Sequence, residues 1–311
     1  MAPKSVLPSP WIGLATAVAL WPAAAGSQTS GRDNTEISVN YVYASQLGIG
    51  SYEIGGLSVD VFTLPLSITL PLVSGLGLEP PVDNAEDWRI RFKFAPSYGS
   101  FEFKANDPEF GRIRIRQHTL AFTPGIELIA PVTDIWSLKP FVDVGVGKII
   151  ASSGEGAGDE NGFVTYTTGL RSLVDVPAGD YAFAFGNGVI FAGNDEIGGG
   201  GTENYWAIET GVQARRSLGF SLADLGIGDP NYGGVRPEAG LYFIHYYFPK
   251  ALQFSRFRHD PLEVSNQFEF GLTLGSATPW ELFWISDPKI GVSYIFGDDL
   301  DVLRINFGFP F

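Results

Sequence analysis

Apolar and polar residues alternate with a period of two along most of this chain. In the segment EDWRIRFKF, Trp88, Ile90 and Phe92 share one face, and the basic residues between them share the other. The same alternation recurs in GRIRIRQH, FVDVGVGK, YAFAFGNG, VSNQFEFGLTL and KIGVSYIFG. Successive side chains of a β-strand point to opposite faces, so each segment is predicted to be a strand with one apolar face.

Helical periodicity never extends over the ten or so residues that would predict a helix. The best candidate, FSLADLGIG (Phe220–Gly228), is short and interrupted by glycine. Between Thr35 and Phe311 the chain has room for about twelve strands, within a range of roughly ten to fourteen, joined by Gly-, Asp- and Asn-rich connections. The pattern therefore predicts an all-β protein.

The first residues have the pattern of an export signal. Lys4 precedes an apolar segment, Trp11–Leu20, and small residues follow it. The apolar segment is about half the ~20 residues that a membrane-spanning helix needs. We therefore predict a signal peptide over residues 1–25, a short leader over 26–34 and one β-barrel domain over 35–311.

Composition excludes several kinds of chemistry. The chain has no cysteine, which removes thiol catalysis and zinc–cysteine sites, and its net charge of −14 argues against nucleic acid as a partner. Acidic loops lack the regular ligand spacing of a calcium site, and no glycine-rich stretch opens a helix. We expect no metal, no cofactor and no nucleic-acid partner.

The alternation fits either of two kinds of protein. In a soluble β-sandwich or a lipocalin-like binder the apolar face is the core, whereas in a membrane barrel it faces lipid. Aromatic residues crowd near predicted strand ends at Leu241–Pro249 and Pro279–Ile285, as in the interfacial girdles of membrane barrels. We therefore predict a transmembrane antiparallel up-and-down β-barrel and keep the soluble fold as an alternative.

Two rows of basic residues lie on the polar faces of two predicted strands. Such rows repel themselves unless carboxylates oppose them in a confined space, and Glu102, Asp143, Glu209 or Glu269 could do so. The network could form a charged constriction in a narrow, porin-like channel, or it could fill the barrel and close it. The residues predicted to line the lumen are Arg89, Arg91, Lys93, Arg112, Arg114, Arg116 and His118.

The final segment, LRINFGFPF, places Ile305, Phe307, Phe309 and Phe311 on one face and Arg304 and Asn306 on the other. With the signal sequence and the aromatic strands, this ending resembles Gram-negative outer-membrane β-barrel proteins. Among them, the chain is similar to solitary autotransporter-like barrels, which have a translocator-like barrel without a passenger.

The resemblance implies an outer-membrane location after signal cleavage and a non-enzymatic role. It also implies that the four aligned residues form an assembly signal read by the barrel-assembly machinery. Periplasmic chaperones would be partners during biogenesis, and outer-membrane lipid and lipopolysaccharide would be partners afterwards.

A barrel hydrolase acting on lipid or peptide is the alternative function. Such an enzyme needs a histidine with a serine or carboxylate partner near the rim. The chain has only His118, His245 and His259, and neither GxSxG nor HExxH occurs. We interpret the three histidines as lumen, girdle and loop residues and assign no catalytic residue.

Overall fold

The structure, a computed structural model, describes most of the predicted barrel domain. The predicted signal peptide and leader lie outside the described residues, so their boundaries stay predictions. The described residues are 43, 48–54, 57–72, 88–107, 111–153, 162–197, 202–225, 235–256, 259–277, 281–282, 285–286, 289–298 and 300–311.

Fifteen strand segments build the described part of the chain. They are β1 (Ile49–Ile54), β2 (Leu57–Thr63), β3 (Leu66–Pro71), β4 (Arg89–Asp107), β5 (Gly111–Thr133), β6 (Trp136–Ser153), β7 (Gly162–Ala178), β8 (Tyr181–Glu196), β9 (Thr202–Ser217), β10 (Pro237–Arg256), β11 (His259–Ser276), β12 (Glu281–Leu282), β13 (Ile285–Ser286), β14 (Ile290–Gly297) and β15 (Leu300–Asn306). β2 and β3 both pair with β4, so they form one strand interrupted at Leu64 and Pro65. β12 and β13 pair only with each other.

The remaining strands close into a barrel. Each pairs antiparallel with its neighbour, and β1 pairs with β15 from Ile49 opposite Ile305 to Ile54 opposite Leu300. The result is a closed barrel of twelve antiparallel strands, which confirms the predicted all-β, up-and-down fold. Closure leaves no free strand edge, so the ladder satisfies the backbone groups without water.

The two ends of the barrel differ in their connections. We call the end with the Asp298 turn between β14 and β15 the upper rim, and the end with the Gly179–Asp180 turn the lower rim. A short 3-10 helix, Leu222–Leu225, lies between β9 and β10 at the lower rim. It begins after Ser221, whose backbone N–H and hydroxyl donate to the Asp224 carboxylate at 2.7 and 2.9 Å and lower the pKa of Asp224.

The barrel has an apolar exterior. On β6 the side chains of Val142, Val144 and Val146 point outward and are 47, 49 and 58% exposed, while the alternate residues Phe141 and Ile149 are buried inside. Exposed Phe, Trp, Leu and Ile side chains continue this surface around the other strands. Such a contiguous apolar belt suits contact with lipid acyl chains. Within the described residues no helix has the length and apolar character to cross a bilayer.

Candidate functional site

Aromatic and aliphatic side chains fill the upper lumen. Tyr43, which precedes β1, lies inside the barrel with its ring 6.2 Å from Tyr205 and 6.3 Å from Phe248. The Gln267 side-chain amide donates to the Tyr43 hydroxyl at 2.5 Å. Inward residues from many strands pack around this group, including Tyr52, Phe101, Ile115, Phe163, Val264 and Val302. The upper part of the lumen is therefore a packed apolar core.

A buried carboxylate organises the middle of the lumen. Glu269 on β11 has no exposed surface, and both of its oxygens accept from the Arg304 guanidinium at 2.7 Å. The hydroxyls of Tyr242 and Tyr246 donate to the same carboxylate, each at 2.7 Å. Arg304 also donates from Nε to the Ser293 hydroxyl at 3.2 Å. Both charges are thus paired and hydrogen-bonded to further groups, which favours the burial of an ion pair.

Further ion pairs extend the charged layer across the barrel. Arg91 pairs with Glu127 at 2.8 Å, Lys93 with Asp143 at 2.6 Å and Arg171 with Glu209 at 3.3 Å. Nearer the lower rim, Arg215 lies 2.5 Å from Asp175 and 3.5 Å from Glu238. Lys139 is buried on the inward face of β6, beside these pairs. We define the lumen network as Arg91, Lys93, Lys139, Arg171, Arg215, Arg304, Glu127, Asp143, Asp175, Glu209, Glu238 and Glu269. Its cations and carboxylates are equal in number.

Phe141 separates two of these cations. The Lys93 ammonium lies 4.7 Å from the centre of the Phe141 ring, and the Arg171 guanidinium carbon lies 4.6 Å from it. Each cation contacts the electron-rich ring and its own carboxylate, which lowers the cost of placing like charges close together. A cavity of about 360 Å³ beside this cluster is lined by residues that include Lys93, Arg171 and Tyr246.

The last residues of the chain close the lower lumen. After β15 the backbone turns at Gly308, where φ is +114°, a value that glycine adopts without strain. Phe309 and Phe311 then enter the lumen, with Phe309 5.7 Å from the Tyr242 ring and 4.9 Å from Phe311. Phe311 lies against Gly186 and Gly211, where added Cβ atoms would come within 2.2 and 2.8 Å of its ring. We call Gly308–Phe311 the inserted tail.

The first predicted basic row faces the interior. Arg91 and Lys93 join the lumen network through Glu127 and Asp143. Arg89 continues the same face of β4 and is exposed at the lower rim. The structure thus brings two of these three side chains to opposing carboxylates, and their roles in the lumen stay a prediction.

The prediction that Arg114, Arg116 and His118 of the second basic row line the lumen is wrong. Ile115 on β5 is 4% exposed and packs inside, so the alternate residues Arg114, Arg116 and His118 point outward. The side chain of Arg112 lies outside the described residues, so its place in the lumen stays a prediction. The upper lumen is apolar, and Ile115 packs into it rather than against lipid. The described basic residues that alternate with it therefore point outward.

The expected apolar stripe of the final strand is correct only in part. Leu303, Ile305 and Phe307 are exposed on the outside, whereas Arg304 and Asn306 point inward. Phe309 and Phe311 leave this stripe and enter the lumen, because the turn at Gly308 ends the strand alternation. Of the proposed acidic partners, Asp143, Glu209 and Glu269 lie inside, whereas Glu102 points outward to Arg114 and Arg116.

Sequence reasoning missed several members of the lumen network. Glu127 and Arg171 are single charged residues within otherwise apolar or small-residue segments, IELIA and GLRSL. Their alternation with the outward residues Ile126 and Leu170 was an available signal. Tyr242 and Tyr246 lie in a run of aromatic residues, where the pattern does not reveal which hydroxyls find a carboxylate.

The described histidines lie on the outside of the barrel. The Tyr98 hydroxyl and His118 Nδ1 are 2.8 Å apart, and His245 Nε2 lies 3.0 Å from the Asn266 side-chain oxygen. His245 also stacks on Phe268 at 4.9 Å. The side chain of His259 lies outside the described residues. Within the described part of the chain, no group of His, Asp and Glu side chains has the arrangement of a metal site.

Closure and strand count together define the fold as a closed, twelve-stranded antiparallel β-barrel with an inward-facing polar layer. A search of solved structures found the transport unit of the autotransporter AIDA-I from Escherichia coli, with a TM-score of 0.52 and 11% identity. The alignment covers 84% of this chain and 87% of that one. At this identity the likeness concerns the fold. No protein-family model and no curated protein matches the chain.

Proposed function

We propose that this protein is a non-enzymatic outer-membrane barrel of the translocator type whose lumen is closed at rest. The observation that carries the proposal is the filling of the lumen at three levels. Tyr43 and its neighbours occupy the upper part, the lumen network the middle, and Phe309 and Phe311 the lower part. The cavity of about 360 Å³ is lined by residues of all three levels, including Tyr43, Arg304 and Pro310, and we propose that the packed rings and ion pairs around it interrupt a continuous water path.

The membrane location is supported by the surface of the barrel. The apolar belt would be costly in water, and a closed ladder is one of the few backbone structures that a bilayer accepts. We propose that the lower rim faces the periplasm, because β1 begins and β15 ends on that side. A chain that inserts from the periplasm would then keep the residues before β1 and after β15 on the periplasmic side.

We keep the assembly signal as a proposal and add to it an order of events. Ile305 and Phe307 present the outward apolar face that a recognition strand needs. Phe309 and Phe311 are packed inside in the folded barrel, so they would be read before the inserted tail packs. We propose that recognition by the assembly machinery precedes insertion of the tail into the lumen.

Single-channel recording tests the closed state. We expect the purified full-length barrel to insert into planar bilayers without steady conductance steps. Arg171→Ala removes an inward cation that contacts both Glu209 and Phe141, and it is expected to produce brief openings. Arg114→Ala removes an outward arginine and serves as the matched control, which is expected to stay silent. Steady steps in the unmodified protein would overturn the proposal, even if neither variant folds.

A further inference from the structure

A basic patch lies on the described exterior near the upper ends of β5 and β6. Arg114 and Arg116 extend from β5 with side chains 50 and 47% exposed, and His118 follows on the same face beside Tyr98. Lys148 on the neighbouring strand β6 is also exposed, opposite Leu120. The patch is positive on a chain whose net charge is −14, so it is not a consequence of overall composition.

The depth of this patch follows from the apolar residues below it on β5. Leu120, Phe122, Ile126 and Val132 are 50, 44, 44 and 41% exposed on the outward surface. The interval from Leu120 to Val132 spans roughly 40 Å along a strand, or about 30 Å along the axis of a tilted barrel. The hydrocarbon band is about 25 Å tall. Arg114 and Arg116 therefore lie just above it, at the level of lipid headgroups.

A carboxylate holds the two arginines in place. Glu102 on β4 pairs with Arg114 and lies 3.4 Å from the Nε of Arg116. One carboxylate can neutralise only one guanidinium, so the pair keeps a net positive charge. Asp60 on β2 is exposed opposite Ser100 and marks the acidic border of the patch. The register also places Lys104 opposite Arg114.

We propose that Arg114 and Arg116 form a binding site for the phosphate groups of lipid A, the membrane anchor of lipopolysaccharide. Guanidinium groups bind phosphate oxygens through paired, charge-assisted hydrogen bonds. Leu120 and Phe122, directly below, would contact the acyl chains of the same molecule. The proposal rests on the proposed function, because it requires the upper rim to face the outer leaflet.

A lipid-binding titration tests the site. The full-length protein in neutral detergent micelles is titrated into fluorescent bisphosphorylated lipid A, and anisotropy is followed. We expect Arg114→Ala/Arg116→Ala to weaken binding by roughly tenfold or more. The matched control Arg216→Ala/Arg236→Ala removes the same charge near the lower rim and is expected to keep the affinity within about twofold. Glu102→Gln removes the competing carboxylate and is expected to tighten binding several-fold.

Two further binding measurements distinguish recognition of the phosphate groups from contact with the acyl chains. Lipid A stripped of its phosphates is expected to bind equally well to the unmodified protein and to Arg114→Ala/Arg116→Ala. Inorganic phosphate at equal concentration is expected not to displace lipid A, because it lacks the acyl contacts. An equal loss in both double variants, or no loss in either, would overturn the proposal. The titration needs no orientation and no conductance, so its failure is distinguishable from failure of the closed-barrel proposal.

Discussion

Glu269→Ala is expected to destabilise the folded barrel by roughly 3–5 kcal/mol, which is the cost of leaving a buried charge without its partner. Glu269 has no exposed surface, and its carboxylate accepts from Arg304, Tyr242 and Tyr246. Alanine at this position leaves the buried guanidinium without a carboxylate and removes the acceptor of two tyrosine hydroxyls. Urea unfolding in phospholipid vesicles, followed by heat-modifiable gel migration, measures the change in the free energy of unfolding.

Two comparisons separate this effect from general damage. Glu102→Ala removes an outward carboxylate whose arginine partners are half exposed, and it is expected to cost at most about 1 kcal/mol. The double variant Glu269→Ala/Arg304→Ala removes both buried charges and is expected to recover part of the loss. If Glu269→Ala costs no more than Glu102→Ala, the buried network does not hold the barrel together.

Removing the aromatic rings of the inserted tail is expected to open the lower lumen to solutes. The chain has no cysteine, so a single cysteine can report access without interference. Ala207 on β9 is 3% exposed, lines the cavity, and lies above Gly211, which contacts Phe311. We expect Ala207→Cys to react slowly with a charged maleimide, and Phe309→Ala/Phe311→Ala to accelerate that reaction at least about tenfold.

A second route displaces the tail while both of its aromatic rings remain. Gly186→Leu places a side chain where the Phe311 ring now lies, because even a Cβ would come within 2.2 Å of that ring. It is expected to raise the Ala207→Cys labelling rate in the same direction. Phe307→Ala removes an outward aromatic and is the matched control, with no change expected. Identical labelling rates in all four proteins would show that the tail does not seal the lumen.

A reporter outside the lumen controls for the reagent. Ser153 lies exposed at the end of β6, and Ser153→Cys is expected to react at the same rapid rate with or without the tail aromatics. A rate that differs between the two backgrounds would mean that the tail substitutions loosen the whole barrel. The lumen labelling would then report unfolding rather than access.

The strands and their closure were predictable because they depend on local pattern. A period of two, sustained in FVDVGVGK and VSNQFEFGLTL, makes a strand favourable and leaves one face apolar. A series of such strands has few ways to satisfy its edges, and closure is one of them. The count of about twelve followed from the room between Thr35 and Phe311.

The direction of the basic rows was predictable for only one strand. On β4, Lys93 alternates with apolar residues that face outward, as the pattern suggested. On β5, Ile115 and Leu120 are both apolar but point to opposite faces. That change of phase is visible in RIRIRQHTLAF, and it marks the level at which the strand leaves the apolar belt. This change of phase reveals that Arg114 and Arg116 point outward only when the upper lumen is known to be apolar.

The inserted tail could not be predicted from alternation. The spacing of Ile305, Phe307, Phe309 and Phe311 continues one stripe without interruption. The backbone turn at Gly308 separates the last two rings from the first two. The last two rings then occupy the space left by Gly186 and Gly211 on β8 and β9, which lie far from β15 in the barrel. Such space depends on which glycines are paired on neighbouring strands, here Gly186 opposite Gly211 on β8 and β9, and on the register that places them beside the tail.

The sequence by itself determined that the chain forms strands with one apolar face, because side-chain direction along a strand depends on immediate neighbours alone. Only the tertiary structure decided which charges meet in the lumen, which basic residues face outward, and where the last aromatic rings lie. These outcomes depend on closure and register, which bring residues from opposite walls together. Glu269 meets Arg304 through the register of β11, β14 and β15, whereas Phe311 meets Gly186 across the lumen, on a strand far from its own in the barrel.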